Sequence, residues 1–283
     1  MKPPYIGFVG IKNLDEVLAV SQITQRFAAL NFGPMIQVGV QINKKVIEGL
    51  DFENNLRLSS DMKEVRSIFE YTKRFIPNVF NVAHYSEKDK SKIIQRILHI
   101  FGETGIYFDK LCQAVQLDGY LGDIEPKTLR SIKNKYPDLA IIMQVNRNLI
   151  GDFSDSNIDF ILNNLKWLSD FIGYCLIDCS GGEGRPMNLA KNVYLALRIR
   201  HHLPDLAIGF SGGLNGENAF FIVSRLMRML KSDNFSIDAE SGLRNKLGDG
   251  YGNDIFNKEK IRGFFRESLK AFGCGGMTEY LDR

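Results

Sequence analysis

Glycine-rich segments follow three successive apolar runs in the second half of the chain. They occupy residues 180–185, 211–215 and 240–242. Glycine lets backbone N–H groups approach a ligand closely, and successive N–H groups beside the start of a helix bind an anion without a basic side chain. One such segment would fit an ordinary turn, but three together favour a phosphate site. Its candidate residues are Gly182, Gly184, Gly212, Gly213, Ser241 and Gly242.

Three titratable side chains stand at the ends of apolar runs, where they could act in acid–base catalysis. Asp178 directly precedes the first glycine segment, a position that suits a proton donor. His84 and Asp118 end two earlier runs, and a histidine has the better ordinary pKa for a base near neutral pH. The alternative interpretations are structural: Asp178 as a carboxylate that braces its loop, and His84 as a hydrogen-bonded residue at a strand end.

The elements that must position these residues are eight short apolar runs, each followed by a longer amphipathic segment. Such runs predict strands buried on both faces, and the strand–helix alternation predicts a parallel sheet. Asn13 and Glu16 have capping-box spacing, which predicts a first helix directly after the first strand. The predicted strands are residues 5–11, 35–42, 79–84, 114–118, 140–145, 174–179, 207–211 and 235–239. Two predicted helical stripes are Ala219, Ile222, Val223, Leu226, Leu230 and Ile261, Phe264, Phe265, Leu269, Phe272.

Eight strand–helix units predict an α/β protein with a closed (β/α)8 barrel, a single domain over residues 1–283. A competing open sheet would carry a Gly-x-Gly-x-x-Gly turn after an early strand, but no third glycine follows Gly7 and Gly10. In a barrel, function lies at the C-terminal ends of the strands, with phosphate after strands seven and eight. Residues 247–254 are predicted to form a flexible loop over that phosphate site.

The charge balance, the apolar runs and the cysteines of the chain argue against several classes of protein. The 36 basic and 33 acidic side chains give a formal net charge of +3, which does not indicate nucleic-acid binding. No apolar run reaches the ~20 residues that cross a bilayer, and the first residues lack a signal-peptide pattern. We therefore expect a cytoplasmic monomer or homodimer that binds neither nucleic acid nor membrane. Cys175 and Cys179 would lie about 13 Å apart on a strand, too far to share a metal ion, and no metal or cofactor is predicted.

Several segments resemble the phosphoribosylanthranilate isomerases of tryptophan biosynthesis. Residues 211–218, Ser-Gly-Gly-Leu-Asn-Gly-Glu-Asn, are similar to the family's Gly-Gly-Leu-Asn-Pro-Glu-Asn. Residues 176–178, Leu-Ile-Asp, resemble its Leu-Leu-Asp. The resemblance covers nearly the whole chain and is strongest in the C-terminal half. The other matching segments are residues 10–15, 114–119, 181–184, 238–242 and 258–261.

The resemblance implies an enzyme that converts a phosphorylated aminoaldose to an aminoketose by an Amadori rearrangement. That reaction needs an acid to protonate the ring oxygen of the sugar and a base to remove the proton from C2. The resemblance gives the acid role to Asp178. It gives the base role to the position of Val9, whose isopropyl group cannot accept a proton. The base is therefore expected to be His84 or Asp118.

The residues expected to contact the rest of the substrate also differ from the family pattern. This chain has Lys44 and Lys45 where the family has an arginine for the anthranilate carboxylate, and Met143 where the family has a lysine. A lysine does not reproduce the bidentate fork of arginine, so an altered substrate is expected. Two alternatives stay open: a barrel that binds a phosphorylated ligand without catalysis, and another isomerase or lyase that acts on a phosphorylated small molecule.

Overall fold

Eight parallel strands close into a barrel in the computed structural model, which confirms the predicted fold class. The structure describes residues 2–28, 33–50, 55–86, 89–102, 105–107, 110–180, 184–249 and 252–273. The barrel strands are β1 (Tyr5–Val9), β2 (Met35–Ile42), β3 (Val79–Tyr85), β4 (Ala114–Leu117), β5 (Ala140–Asn146), β6 (Tyr174–Asp178), β7 (Ala207–Ser211) and β8 (Ser236–Ala239). Each strand pairs with the next in sequence, and β8 pairs with β1 to close the barrel.

Helices cover the outside of the barrel between the strands. They are α1 (Leu14–Ala28), α2 (Lys44–Glu48), α3 (Met62–Phe75), α4 (Ile93–Phe101), α5 (Pro126–Lys135), α6 (Arg147–Ile150), α7 (Asp155–Leu168), α8 (Leu189–His202), α9 (Ala219–Leu230) and α10 (Lys258–Ala271). The predicted apolar stripe of α9 is buried throughout. The stripe of α10 is buried too, except that Phe272 lies just past the helix end and is partly buried. Among the described residues, no helix is both long and apolar enough to cross a bilayer.

Strand ends differ from the predicted ones by one or two residues where a glycine or a carboxylate turns the chain. β1 ends at Val9 because Gly10 adopts a φ of +80°. The N–H groups of Gly10 and Ile11 then both donate to the carbonyl oxygen of Gly39, at 3.0 and 3.1 Å.

The predicted helix start after this strand is confirmed: Asn13 Oδ1 accepts the N–H of Glu16 at 3.0 Å, and α1 begins one residue after Asn13.

A two-stranded antiparallel hairpin follows β8, formed by β9 (Arg244–Lys246) and β10 (Asp254–Phe256). The prediction of a flexible loop over residues 247–254 is therefore wrong at its C-terminal end, because Asp254 begins a paired strand. Residues 250 and 251 lie outside the described residues. The hairpin packs on the segment that follows β2, where the N–H of Leu56 donates to the carbonyl oxygen of Gly252 at 2.8 Å.

The barrel interior is apolar at one end and polar at the other. At the N-terminal ends of the strands, the rings of Tyr5, Phe80 and Tyr174 pack with centroid distances of 5.6 to 5.8 Å. They belong to an inner cluster with Val82, Ala114, Ile142 and Leu176. Towards the C-terminal ends the interior side chains are polar instead, among them Gln37, His84, Gln116, Asp178 and Asp238. Because burying polar groups costs stability unless they are hydrogen-bonded, this end of the barrel is the candidate functional end.

Candidate active site

A cavity of about 500 Å³ opens at the C-terminal end of the barrel. This is the end at which barrel enzymes carry their active sites. Every strand or its C-terminal extension contributes a lining residue: Val9, Gln41, His84, Gln116, Gln144, Asp178, Ser211 and Asp238. Asp118 also lines the cavity, and so do Gly184, Gly212, Gly213, Ser241 and Gly242 of the three glycine segments. The structure thus brings the predicted acid–base and phosphate-binding residues that it describes to one cavity; Gly182 lies outside the described residues.

The loop after β6 packs directly against the loop after β7. A Cβ atom on Gly213 would lie 2.6 Å from the carbonyl oxygen of Arg185 and 3.1 Å from that of Gly184. Gly213 also has a φ of +65°, and Gly184 a φ of +71°. Glycine is required at position 213 for two reasons. Its positive φ disfavours other residues, and any side chain would collide with the loop after β6 and push the two loops apart.

The loop after β8 completes this arrangement. A Cβ atom on Gly242 would lie 2.0 Å from the carbonyl oxygen of Leu214. A Cβ atom on Gly184 would lie 3.2 Å from the Cβ of Ser241. The three glycine-bearing loops therefore converge on one place at the mouth of the barrel, rather than splaying apart.

Two backbone amides of the middle loop are available to a ligand. Within the described part of the chain, no hydrogen bond uses the N–H of Gly212 or Gly213. Both residues line the cavity, and Gly212 has a φ of +118°. The next residues of this loop are held in place, since Asn218 Nδ2 donates to the carbonyl oxygen of Gly213 at 2.8 Å. Neighbouring N–H groups with positive φ form the kind of concave nest that binds phosphate oxygens.

Asp178 is buried at the end of β6 and is held by hydrogen-bond donors. The backbone N–H and the hydroxyl of Ser180 donate to its Oδ1 at 2.8 and 2.9 Å. Gln144 Nε2 donates to its Oδ2 at 3.0 Å. Asp178 lies beside the glycine-bearing loops, where a group that transfers protons to or from a bound ligand would have to lie. The three hydrogen bonds fix the direction of its carboxyl group.

Asp118 follows β4 and is partly buried. Burial raises the pKa of its carboxyl group to about 7, with further contributions from the negative charges of Asp178 and Glu240. A hydrogen bond from Gln116 Nε2 to Oδ1 at 2.8 Å acts in the opposite direction. A carboxyl group with this pKa exchanges its proton near neutral pH, as a catalytic acid or base must.

His84 lines the same cavity but is almost completely buried, at 4% exposure. Its Nε2 lies 3.1 Å from Gln37 Nε2 and packs over Gly39, where a Cβ atom would lie 2.5 Å away. Burial lowers the pKa of His84 to about 3. The imidazole is therefore neutral at pH 7, and the argument that favours it as a base from its ordinary pKa does not apply to this side chain.

Of the four residues that differ from the pattern of the isomerase family, only Val9 lines the cavity in the described part of the chain. Val9 is buried and lines the cavity. Lys44, Lys45 and Met143 are not among the described lining residues; Lys44 pairs with Glu48 at 3.9 Å, and Met143 is buried in the core outside the barrel. The two lysines therefore do not replace the family's arginine at this cavity.

Sequence reasoning missed a buried ionic group behind the mouth of the barrel. Arg57 is 3% exposed, and its Nη1 donates to Glu240 Oε1 at 2.7 Å. Its Nη2 donates to Ser241 Oγ at 3.1 Å, and its Nε donates to Asp254 Oδ1 at 3.1 Å. Gln41 Nε2 donates to the same oxygen of Glu240 at 2.6 Å. Arg57 has no motif around it that could have revealed this role.

Asp238 is a further acidic residue of the cavity that sequence reasoning missed. Burial raises its pKa well above the ordinary value, and the charges of Asp178, Glu240 and Asp118 add to the effect, while a hydrogen bond from Ser211 opposes it. A signal was present in the sequence: Asp238 and Glu240, like Gln116 and Asp118, are polar residues two apart at a strand end, so they face the same side. No group of three or more His, Cys, Asp or Glu side chains in the described ranges could hold a metal ion.

Comparison with known proteins finds relatives by structure and none by sequence. No protein-family model matches the chain, and no curated protein sequence matches it. A solved structure titled phosphoribosyl anthranilate isomerase, from Thermococcus kodakaraensis, is similar at a TM-score of 0.57 and 14% identity, over 93% of this chain and 98% of that chain. A putative spore coat polysaccharide biosynthesis protein E from Chromobacterium violaceum is similar at 0.58 and 12% identity, over 96% of this chain and 75% of that chain. At these identities the likeness shows a shared (β/α)8 barrel.

Proposed function

We propose that the protein is an enzyme that isomerises a phosphorylated sugar derivative from aldose to ketose. The observation that carries the proposal is the juxtaposition, in one cavity, of the unbonded Gly212 and Gly213 amides with the carboxyl groups of Asp118 and Asp178. The similar Thermococcus structure is titled as an isomerase of a phosphoribosyl compound, which supports this class of reaction. The phosphate would bind to the amides of the loops after β6, β7 and β8, with Ser241 and Gly242 at its side.

The hydrogen bonds favour Asp118 as the acid and Asp178 as the base, the reverse of the roles that the family resemblance implies for Asp178. Three hydrogen bonds hold the carboxyl group of Asp178 in one direction, which suits a base that must be positioned to take a proton. Asp118, with a pKa near 7, holds a proton in about half of the molecules at neutral pH. It can therefore protonate the ring oxygen and open the ring.

The proton balance of the reaction then closes within the site. Asp178 takes the proton from C2, and the electrons of that C–H bond form a double bond between C1 and C2. The π electrons of the C1=N or C1=O bond, which ring opening created, move onto the nitrogen or oxygen at the same time. Asp178 next delivers its proton to C1, while the hydroxyl at C2 becomes a carbonyl and returns a proton to Asp118. C1 is reduced and C2 is oxidised, so the substrate supplies both electrons and no co-reactant is consumed.

A second candidate function is a barrel that binds a phosphorylated ligand without transforming it, and Val9 favours it because the family's base is missing there. Incubation of the protein with aldose phosphates in heavy water separates the two. Isomerisation removes the hydrogen from C2 of the aldose, because C2 becomes a carbonyl carbon, and proton NMR follows the loss of that C2–H signal. We expect the loss with the native protein and none with Asp178→Asn. Phosphate binding without loss of the C2–H signal for any aldose phosphate would favour the binding protein instead.

A further inference from the structure

We infer, on the basis of the proposed function, that the part of the substrate beyond the phosphate is a polyhydroxylated, non-aromatic chain and not an arylamine. The inference concerns the wall of the cavity opposite the glycine loops. That wall is formed by the ends of β2, β4 and β5 and by the segments that follow them. Its side chains determine which ligand groups can be buried there.

Three glutamines on this wall each donate an N–H to a carboxyl group of the cavity. The pairs are Gln41 with Glu240 at 2.6 Å, Gln116 with Asp118 at 2.8 Å and Gln144 with Asp178 at 3.0 Å. The pairing fixes each carboxamide, because the opposite orientation would place its carbonyl oxygen against a carboxylate. With one N–H of each carboxamide engaged in this way, the wall presents both donors and acceptors, since Asn146, Arg147 and Asn148 line it as well.

Two buried acceptors of the cavity lack a protein partner. Within the described residues, Gln116 Oε1 and Asp238 Oδ2 have no hydrogen bond, and their residues are 3% and 2% exposed. Both residues line the cavity. A buried polar atom without a partner is costly, and a ligand that satisfies it gains affinity. A hydroxyl group fits both atoms, because it can donate to the amide oxygen and can either donate to or accept from the Asp238 carboxyl group.

An aromatic acid such as anthranilate fits the same wall poorly. Among the described lining residues none is Phe, Tyr or Trp, and the apolar ones are Val9, Leu58, Leu176, Leu214 and Ala239. The charged or titratable lining residues are His84, Arg147 and four acidic residues. A flat ring without hydroxyl groups would leave Gln116 Oε1 and Asp238 Oδ2 unpaired.

Binding of four matched ligands to the native protein tests the inference. Isothermal titration would compare ribose 5-phosphate, 2-deoxyribose 5-phosphate, phenyl phosphate and inorganic phosphate. We expect ribose 5-phosphate to bind about tenfold or more tightly than phenyl phosphate, since each satisfied buried acceptor is worth roughly tenfold in affinity. The deoxy sugar should lie between them. Equal or tighter binding of phenyl phosphate would overturn the inference.

Inorganic phosphate separates this inference from the proposed function. If inorganic phosphate does not bind, the phosphate site and with it the proposed function are wrong. If it binds and the sugar gives no gain over the aryl group, the inference alone is wrong. In an Asp238→Leu variant the preference for ribose 5-phosphate over phenyl phosphate should fall several-fold, whereas Asp238→Asn should retain it, because the amide still donates and accepts. If Asp238→Leu keeps the full preference for ribose 5-phosphate, Asp238 does not bind a sugar hydroxyl group and that part of the inference is wrong.

Complementation gives an independent result in cells. If the inference holds, the full chain, expressed to detectable levels in a bacterial strain without phosphoribosylanthranilate isomerase, should not restore growth without tryptophan. Restored growth would show that an arylamine substrate is accepted and would overturn the inference while leaving the proposed reaction type intact.

Discussion

Gln116 donates its Nε2–H to Oδ1 of Asp118 across 2.8 Å, yet the carboxyl group still has a pKa of about 7. The hydrogen bond favours the charged form, but burial and the neighbouring charges of Asp178 and Glu240 outweigh it. The cavity thus concentrates acidic groups that repel one another. Repulsion of this kind costs stability and produces a carboxyl group that can give up or take a proton near neutral pH.

The first prediction is a loss of activity above pH 7. If Asp118 is the acid, kcat/KM should fall about tenfold per pH unit once the pH exceeds its pKa of about 7. Asp118→Asn should lower kcat by about 10²-fold or more, since an amide cannot supply the proton. The exposed Asp123 offers a control, and Asp123→Asn should leave the profile unchanged. A rate that rises with pH through 7 would instead make Asp118 the base.

The second prediction is that Asp118→Asn stabilises the folded protein at neutral pH. Folding raises the pKa of Asp118 from 3.8 to about 7, so the native state binds its proton more tightly than the unfolded state does. The native state therefore loses stability as the pH rises from about 4 to 7, and the loss is complete above 7. Asparagine avoids this loss. Urea unfolding at pH 8 should give the variant a gain on the order of 2 kcal/mol, allowing for partial solvent access.

Unfolding at a second pH controls for the effect of the substitution itself. At pH 4 the gain should fall to about 0.5 kcal/mol or less, because Asp118 is protonated in the folded protein and about 40% protonated in the unfolded one. A gain of the same size at both pH values would mean that packing, and not the carboxyl charge, explains it.

The sequence was sufficient to predict the eight barrel strands, because each of them is a local apolar run, but it did not predict the hairpin of β9 and β10. Residues 35–42 and 207–211 coincide with β2 and β7 at both ends. The glycine loops could be placed as well, since glycine at 212 and 213 is a local feature and barrel topology brings consecutive strand ends together. The place of Asp178 at a strand end follows from the same reasoning.

The electrostatics of the site could not be predicted, because they depend on residues that are distant in sequence. His84 has a suitable ordinary pKa, but its burial over Gly39 is a property of the assembled barrel. The raised pKa of Asp118 depends on Asp178 and Glu240, which come from other strands. Arg57 lies in an irregular segment and meets Glu240 and Asp254 only after the barrel has closed.

The third prediction concerns the contact between the loops after β6 and β7. Gly213→Ala should abolish phosphate binding, because its Cβ would lie 2.6 Å from the carbonyl oxygen of Arg185 and would force the loops apart. Gly49→Ala is the matched control: the φ angles are +65° and +63°, but no atom lies within 4 Å of a Cβ at Gly49. Both variants should lose about 1 kcal/mol from backbone strain.

Thermal unfolding with and without millimolar phosphate measures the difference. A ligand that binds only the folded state raises the melting temperature, so phosphate should stabilise the native protein and Gly49→Ala to the same extent. It should not stabilise Gly213→Ala. An equal shift in all three proteins would place the phosphate elsewhere.

The fourth prediction is that Val9→Cys does not increase the rate. The substitution restores the residue that the isomerase family has at this position, but the surroundings are unsuitable for a thiolate. Burial raises the pKa of Cys175 in β6 to about 12, which shows the effect of a buried site in this protein on a thiol. A thiol at the 4% exposed position 9 would also face the acidic groups of the cavity and stay protonated at neutral pH. The initial rate of the proposed isomerisation measures this, and a gain of tenfold or more would show that a thiol at position 9 can act as the base.

The fifth prediction is that Arg57 supports both stability and phosphate binding. Arg57→Met removes the cation bonded to Glu240 and leaves Asp254 only the longer contact with Arg244 Nη1, at 3.6 Å, which should cost about 3 kcal/mol. The exposed pair of Arg262 and Glu259 provides the control, since Arg262→Met should cost about 1 kcal/mol or less. Ser241 Oγ accepts a hydrogen bond from Arg57 and Ser241 lines the cavity, so Arg57 positions this hydroxyl group beside the proposed phosphate site.

Urea unfolding and phosphate titration of Arg57→Met and Arg262→Met distinguish these two effects. Arg57→Met should bind phosphate several-fold more weakly at a temperature where it is still folded, because Ser241 and the hairpin of β9 and β10 lose their anchor. Arg57→Lys should recover little of either property, since one ammonium group cannot reach Glu240, Ser241 and Asp254 together. Native phosphate affinity in a destabilised Arg57→Met would mean that the ionic group supports the fold and not the phosphate site.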